Sequence, residues 1–487
     1  MLGPEREIEE LKGQVAKYFP VYEVRVRPDM LTFFVHVEPT TLDHNFDEMR
    51  KAMIPKGYVP FITKEKGEHI VLVQRKPPAK PFSVRVNLIL LFLTIGTTIF
   101  AGAINWAAYE GLEISDPRSI AFGALFFALP LMAILGIHEM GHYVTAKKYK
   151  VAASLPFFVP SIPPLGTFGA LISMRDPIPN RKALLDIGIS GPLFGLAVAI
   201  PVTLLGLFLI GADPKTTMVT AGDTVALPSL LYEALTWLVP VPSNVRFHPT
   251  AFAGWVGMFV TALNLLPAGQ LDGGHVARAV LGDKARYLSY FALATMFFLG
   301  LFFPGWLIIA MFILFLGARH PPPLNDITRL SIGRKAVGAV AAIVFLATFI
   351  PTPLVVVSEN PTFDFVPAGQ LNLTATAGSV TIAYFEIHNT GNMLANISVY
   401  APDLNNLDNF KLNVTFLNYS GSGGNATIDA RAFVVVLMPD QSVNVTFRVN
   451  ATNYSGPRPA QYPYSFIIQG EMVDGPTKTL RVGIKVV

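Results

Sequence analysis

The sequence predicts a polytopic α-helical membrane protein of about seven transmembrane segments, with an N-terminal α+β soluble domain and a C-terminal all-β, immunoglobulin-like sandwich. Three observations carry this expectation. Of 487 residues, 52% are hydrophobic and only 14% charged, which excludes an ordinary soluble enzyme. Apolar stretches of membrane-spanning length are confined to residues 85–355, between a charged, mixed stretch at 1–80 and an alternating, turn-rich one at 356–487. Eight Asn-x-Ser/Thr sequons all fall in that last stretch, at Asn372, Asn396, Asn413, Asn418, Asn425, Asn444, Asn450 and Asn453, which favours an extracytosolic location for it.

Composition narrows the chemistry. The formal net charge of +4 is small, and no basic run interleaved with aromatics suggests a nucleic-acid partner. With no cysteine, disulfides, thiolate metal sites and cysteine nucleophiles are excluded. The charged first 80 residues predict no cleavable signal peptide.

In chain order, Glu5–Phe19 has helical spacing, and 22–27 and 31–37 alternate like strands around a Pro28-Asp29 turn. A second helix is expected near Phe46–Met53. A second hairpin follows, from Val59–Thr63 and His69–Gln74 around Lys66-Gly67, and then a stiff linker, Pro77-Pro78-Ala79-Lys80-Pro81. Membrane segments are expected at 87–108, 119–143, 183–210 and 250–266. The 31 residues Tyr287–Gly317 make one crossing of roughly 46 Å or two of roughly 22 Å. Basic groups flank both ends, so two passes turning at Pro304-Gly305 are favoured, with a last segment at 336–355. The positive-inside rule then puts the N-terminal domain, the Lys147-Lys148-Tyr149-Lys150 cluster and Arg181 in the cytosol of a multi-pass cell-membrane protein, and the β-domain outside. Beyond 356, strands are expected at 380–387, 431–437 and 443–449.

The chemistry concentrates in His138-Glu139-Met140-Gly141-His142, at the end of the almost wholly apolar run Ala121–Ile137. Four residues apart on a helix, the two imidazoles share a face one turn apart and can hold a zinc ion, with the Glu139 carboxylate beside it as a base. Ionisable groups inside a membrane helix are costly and mark function. Zinc needs a third protein ligand and an open position; Asp272, in Asn264-Leu-Leu-Pro267-Ala-Gly-Gln-Leu271-Asp272-Gly273, is the best candidate. Prolines in 155–174 forbid a continuous spanning helix. Gly166-Thr167-Phe168-Gly169 instead suits a re-entrant β-hairpin whose open edge could pair with an extended peptide, the alternative being a plain interfacial loop. Ser190-Gly191-Pro192-Leu193-Phe194-Gly195 suits close helix packing near the site. His248 and His320 are expected at the interface, His275 near Asp272 in either a supporting or a structural role, and Glu233 and Trp237 on an amphipathic interfacial stretch.

Both motifs, in this order and each in an apolar helix, resemble the site-2 protease family of intramembrane zinc metalloproteases. His138-Glu-Met-Gly-His142 is similar to its first motif, and Asn264-x-x-Pro267-x-x-x-Leu271-Asp272-Gly273 to its second. The tail Arg319-His-Pro-Pro-Pro-Leu-Asn-Asp326 resembles the archaeal and plastid branch. The resemblance covers about 85–355 and neither terminal region. It implies one zinc ion on His138, His142 and Asp272, Glu139 as catalytic base, a substrate-binding role for Asn264 and for Gly166–Gly169, and membrane proteins with a transmembrane helix as substrates within the bilayer. On sequence alone Asn264 could equally make a helix–helix hydrogen bond. The competing reading, a membrane zinc transporter or a non-catalytic membrane-protein-binding scaffold, needs no base beside the paired ligands, whereas a hydrolase does.

Overall fold

The computed structural model describes all residues except 1–3, 28–29, 77–83, 175, 213–218, 220–221, 243–244, 405–406, 408–410, 422–426, 429–430, 457–463 and 474. The expected Pro28-Asp29 turn, the proline linker and the Asn425 sequon lie outside the described residues. The chain forms two compact units, one of 1–217 with 226–353 and one of 218–225 with 354–487.

The first unit opens with helix α1 (Pro4–Ala16), strands β1 (Val21–Arg27) and β2 (Met30–Val35), helix α2 (Leu42–Met53) and strands β3 (Tyr58–Glu65) and β4 (Glu68–Arg75). The expected helix–hairpin–helix–hairpin order is present. The strands form one antiparallel sheet in the order β1-β2-β4-β3. Lys66 and Gly67 both take positive φ (47° and 94°), as a tight two-residue hairpin turn requires. Leu11 and Val15 of α1 and Phe46, Met49 and Met53 of α2 close one face of the sheet over Phe33, Val35, Val59, Ile62, Val71 and Val73. Leu324, from far along the chain, belongs to the same core. It sits in an extended strap, residues 319–328, that runs beside edge strand β3. Ile62 N donates to Leu324 O (2.7 Å), and Asp326 N donates to Ile62 O (3.2 Å).

The helical part comprises α3 (Val84–Glu110), α4 (Pro117–Gly123), α5 (Leu129–Lys148), the hairpin β5 (Phe157–Pro160) and β6 (Thr167–Leu171), α6 (Arg181–Ala212), the short strand β7 (Thr224–Ala226), α7 (Leu230–Leu238), α8 (Pro249–Leu265), α9 (Asp272–Leu281), α10 (Ala285–Leu299), α11 (Gly305–Leu316) and α12 (Ile332–Thr348). Among the described residues, three helices are long and apolar enough to cross a membrane: α3, the continuous Pro117–Lys148 and α6. The remaining expected segments are the shorter α8, α10, α11 and α12; at 17 residues α8 measures roughly 25 Å. α10 and α11 pack side by side through Ala292, Leu293 and Met296 against Trp306, Ala310 and Ile313. Outward faces are strongly apolar, with Phe291 69%, Leu301 77% and Phe315 87% exposed, as a lipid-facing surface requires. On α7, Trp237 is 83% exposed, in keeping with the interfacial helix expected there.

Pro130 explains the join between α4 and α5. Proline lacks an N–H, so the carbonyl four residues earlier, Phe126 O, loses its helical donor. The chain widens into one π-turn at Ala124–Ala128. Thr250 Oγ1 of α8 donates to Phe126 O (2.8 Å), so that carbonyl is not stranded. His248, expected at the interface, caps the start of α8. It is buried, accepts from Thr250 N at the start of α8 (3.1 Å), and stands edge-on to Trp106, Tyr109 and Phe126. A capping ring is favoured there because the first helical N–H groups lack partners.

In the second unit, β8 (Leu354–Val356), β9 (Asp364–Val366), β10 (Gln370–Ala375), β11 (Val380–His388), β12 (Ala395–Tyr400), β13 (Asn413–Gly421), β14 (Thr427–Ile428), β15 (Ala432–Leu437), β16 (Ser442–Asn450), β17 (Tyr464–Met472) and β18 (Thr477–Val486) include a six-stranded sheet, β10-β18-β17-β12-β15-β14, and a four-stranded sheet, β13-β16-β11-β9. Alternate residues of both sheets meet in one core containing Phe385, Phe416, Phe447 and Phe466.

Gly102 of α3 and Gly123 of α4 touch backbone to backbone: a Cβ on Gly123 would lie 2.3 Å from Gly102 C. Gly123→Val is expected to destabilise the protein by about 1–3 kcal/mol. In detergent its midpoint of thermal unfolding should fall, while Gly96→Val, on the same α3 but with open space around it, leaves the midpoint unchanged.

Candidate metal centre

Helix α5 places His138 and His142 one turn apart on its buried face; they are 3% and 7% exposed, and Glu139 between them is 5% exposed. The partner carboxylate comes from a different element. α8 ends at Leu265, and the chain doubles back so sharply that a Cβ on Gly273 would lie 2.1 Å from Leu265 O. That reversal starts α9 at Asp272 and turns its carboxylate toward the imidazoles.

His142 Nε2 lies 3.2 Å from His138 Nε2 and 3.2 Å from Asp272 Oδ2, and His138 Nε2 lies 3.4 Å from the same oxygen. These three atoms make the His138–His142–Asp272 group able to hold a metal ion. Hydrogen bonding sets the lone pairs. His142 Nδ1 is 2.8 Å from Ile187 O, which can only accept, so the ring carries its proton there and turns an Nε2 lone pair inward. Asn264 Nδ2, 3.2 Å from His138 Nε2, is an amide donor, so that ring nitrogen also presents a lone pair. Three lone-pair donors converge on one point from 3.2–3.4 Å apart. The edge of a tetrahedron with ligand bonds of about 2.0–2.1 Å is about 3.3–3.4 Å, so donor set and spacing both suit zinc with a fourth position open.

Helix α6 supplies the wall. A Cβ at Gly191 would lie 2.0 Å from His142 Nε2, one at Gly195 3.0 Å from His138 Nδ1, and one at Gly188 2.6 Å from His275 Cβ. The glycines expected to allow close packing do so directly against the imidazoles. Ile187 O could not be foreseen, because a backbone carbonyl leaves no mark in the sequence. Arg181 and Arg278, which hold α9, also escaped the sequence reading, although an arginine amid the glycines and alanines of a short apolar helix was a usable signal. Arg181 Nε and Nη2 donate to Ala279 O and Val280 O, the last carbonyls of α9 (2.8 and 3.0 Å). His275 does not bond Asp272; its Nδ1 meets Leu271 O (3.0 Å), and its ring lies 4.3 Å, edge-on, from that of His320, which is half-buried in the strap.

The re-entrant segment forms the expected hairpin. Phe157 pairs with Leu171, Phe158 with Ala170, Val159 with Gly169 and Pro160 with Thr167. Gly166 and Gly169 adopt positive φ (76° and 102°), Thr167 is buried with its hydroxyl on Val159 O, and Phe168 is 81% exposed. α3 holds the hairpin through Asn87 Nδ2 on Leu155 O (2.9 Å), Thr97 Oγ1 on Gly166 O (2.7 Å) and Asn105 Nδ2 on Pro164 O (3.2 Å).

Because the Gly191 Cα hydrogen faces the ligand nitrogen of His142, Gly191→Ala is expected to cut bound zinc at least about tenfold by elemental analysis. Gly211→Ala, with open space on the same helix, retains full zinc.

Residues 126–304, which include both motifs, match the model of peptidase family M50. Among curated relatives, the chain is 32% identical over 309 residues to the probable chloroplastic zinc metalloprotease EGY1 of Arabidopsis thaliana, covering 57% of this chain and 55% of that one. It is 35% identical over 314 residues to the protein of the same name from Oryza sativa subsp. japonica, covering 57% and 52%. To the Arabidopsis EGY2 it is 31% identical over 183 residues, covering 37% and 31%. The chain spans about half the length of the two EGY1 relatives. Both motifs lie inside the segment that matches peptidase family M50, their side chains gather at one point, and the relatives that the chain resembles over about half their length are plastid zinc metalloproteases.

Proposed function

We propose that this protein is an intramembrane zinc metalloendopeptidase that hydrolyses peptide bonds in or near the transmembrane helices of membrane-protein substrates. The observation that carries this is the buried triangle of His138 Nε2, His142 Nε2 and Asp272 Oδ2, 3.2–3.4 Å on each side, with Glu139 buried on the same helix. His138, His142 and Asp272 hold one zinc ion. Zinc bound there supplies a Lewis acid that acidifies water and polarises a peptide carbonyl.

The remaining chemistry is the protein's own. Glu139 accepts the proton of the attacking water as the new C–O bond forms, and it delivers that proton to the leaving nitrogen as the C–N bond breaks. Burial of the carboxylate keeps bulk water from competing for it. Asn264 has a second task. The single lone pair of His138 Nε2 would serve either the Asn264 amide or a bound zinc, and with zinc held there the amide would be free to bond the substrate backbone or the developing oxyanion. A helical substrate shields its own peptide bonds and must unwind. The two-stranded sheet of Gly166–Gly169 and Phe157–Pro160 has unpaired strand edges among the described residues, and these offer the extended segment hydrogen bonds it would otherwise lack.

The topology proposed is about seven passes through the cell membrane, with residues 1–80 as a cytosolic domain, 85–355 as the protease core and 356–487 as an extracytosolic, immunoglobulin-like domain. Flanking lysines and arginines support this orientation. So does the exposure of Asn372, Asn396, Asn413, Asn418, Asn444 and Asn453 on the β-unit.

The test is cleavage of a single-pass membrane substrate by the purified protein in lipid, with and without a zinc chelator. Glu139→Gln is expected to abolish cleavage with zinc retained, and His142→Ala and Asp272→Ala to lose both. Full activity of Glu139→Gln would sink the mechanism; zinc and activity retained in Asp272→Ala would remove the third ligand.

A further inference from the structure

The three ligands are held very unequally. His138 and His142 sit on α5, which is continuous with α4 from Pro117 to Lys148. Asp272 is the first residue of α9, which has only ten residues. A helix that short does not persist on its own propensity, so its placement is decided by what grips it.

Val276 and Ala279 pack against Leu184, Leu185 and Ile189 of α6, and three further contacts grip it. Arg181, at the start of α6, binds the final carbonyls of α9. The His275 ring, one turn from Asp272, lies against the strap's His320. Between these ends, the side chain of Arg278 is 6% exposed and donates through Nη2 to Asp326 of the strap (2.6 Å), which is itself 12% exposed. Its second partner, Asp283 (2.6 Å), is 85% exposed and is screened by solvent. A buried guanidinium deprived of its carboxylate is strongly unfavourable, so α9 cannot turn away from the strap without cost. Arg278 lies roughly 9 Å along the helix axis from Asp272, and any rotation that moves one moves the other.

The strap is in turn fixed from two sides. On one side Leu324 N and Asn325 N donate to Ile178 O and Pro179 O (2.9 Å each), just before α6. On the other it pairs with β3 of the N-terminal sheet through Ile62. Asp43 of α2 adds side-chain bonds from Thr328 Oγ1 (3.0 Å), Asn325 Nδ2 (3.4 Å) and Lys182 Nζ (2.7 Å).

We propose that Arg278 and Asp326 are positioning residues for Asp272: their ion pair clamps α9 so that its first carboxylate faces the histidine pair, and the N-terminal domain keeps the clamp in register through Asp43 and β3. The proposal rests on the metal-site reading above. It gives the N-terminal domain a part in setting metal affinity from outside the His138–His142–Asp272 group.

The test measures the zinc dissociation constant of the full-length chain in detergent by chelator competition, alongside the thermal midpoint of the metal-free protein. Asp326→Asn is expected to weaken zinc binding about tenfold or more, the range seen when groups supporting metal ligands are removed. Asp326→Glu should recover most of that loss. Asp43→Ala and Thr328→Val, which loosen the strap from the N-terminal domain, should weaken binding by a smaller factor, and Glu48→Gln, exposed on the same α2, should not change it. If Asp326→Asn fails to fold, the Asp43 and Thr328 variants decide. Unchanged zinc affinity in the variants, with only the metal-free midpoint lowered, would overturn the clamp and leave a purely structural pair. Wild-type protein that binds no zinc would overturn the site reading itself, a result distinguishable from the former.

Discussion

The contact between His142 Nε2 and Asp272 Oδ2, 3.2 Å long and joining residues 130 positions apart, is the constraint on which the rest of the helical unit depends. Three lone-pair atoms brought together in an apolar medium repel one another unless a cation lies between them, and burial leaves no solvent to soften the repulsion. The fold has to create this arrangement deliberately. It does so by removing side chains where helices must approach: Gly191 and Gly195 of α6 lie where any Cβ would press on the imidazoles, and Gly273 lets the chain turn back on Leu265. In membranes close helix approach of this kind substitutes for the hydrophobic drive that lipid cannot provide.

A second constraint follows from the first. Breaking helices to build a site strands backbone groups, and each must find a partner. Pro130, eight residues before His138, frees Phe126 O, and Thr250 of α8 satisfies it. The interrupted stretch at 155–174 returns its carbonyls to Asn87, Thr97 and Asn105 of α3. Asn87, Thr97, Asn105 and Thr250, on otherwise apolar helices, thus satisfy backbone where it departs from regularity.

Much of this was legible in the residues. Four-residue spacing of two histidines in an apolar run gives one helical face, and Asn264–Gly273 gives a helix end with a carboxylate; the structure brings these groups together. The three long apolar helices follow from the length of their apolar runs, and the two N-terminal hairpins and the β-strands near 380, 432 and 443 from a period of 2. What was not legible depends on distant backbone. Ile187 O orienting His142, the buried cap made by His248 and the β3–strap pairing are interactions of main chain or of ring packing, and neither leaves a periodic trace. The strap shows the limit best. A proline run followed by Leu324-Asn325-Asp326 reads as a loop, yet Leu324 is fully buried in the N-terminal core.

The two halves of the metal centre thus differ in mechanical character. The histidine pair is preorganised by a long helix packed on α6 and α8, so its geometry costs little to maintain. The carboxylate depends on a short helix held by α6, Arg181, the Arg278–Asp326 pair and a strap shared with the N-terminal sheet. α6 packs against both halves, but the Arg278–Asp326 pair and the strap act on the helix that carries the carboxylate rather than on α5. In the proposed peptidase, which would admit an unwound peptide beside the metal, this arrangement places the adjustable part at the edge, where Asp272 retains 18% side-chain exposure, and leaves Glu139, the proposed base, buried on the long helix.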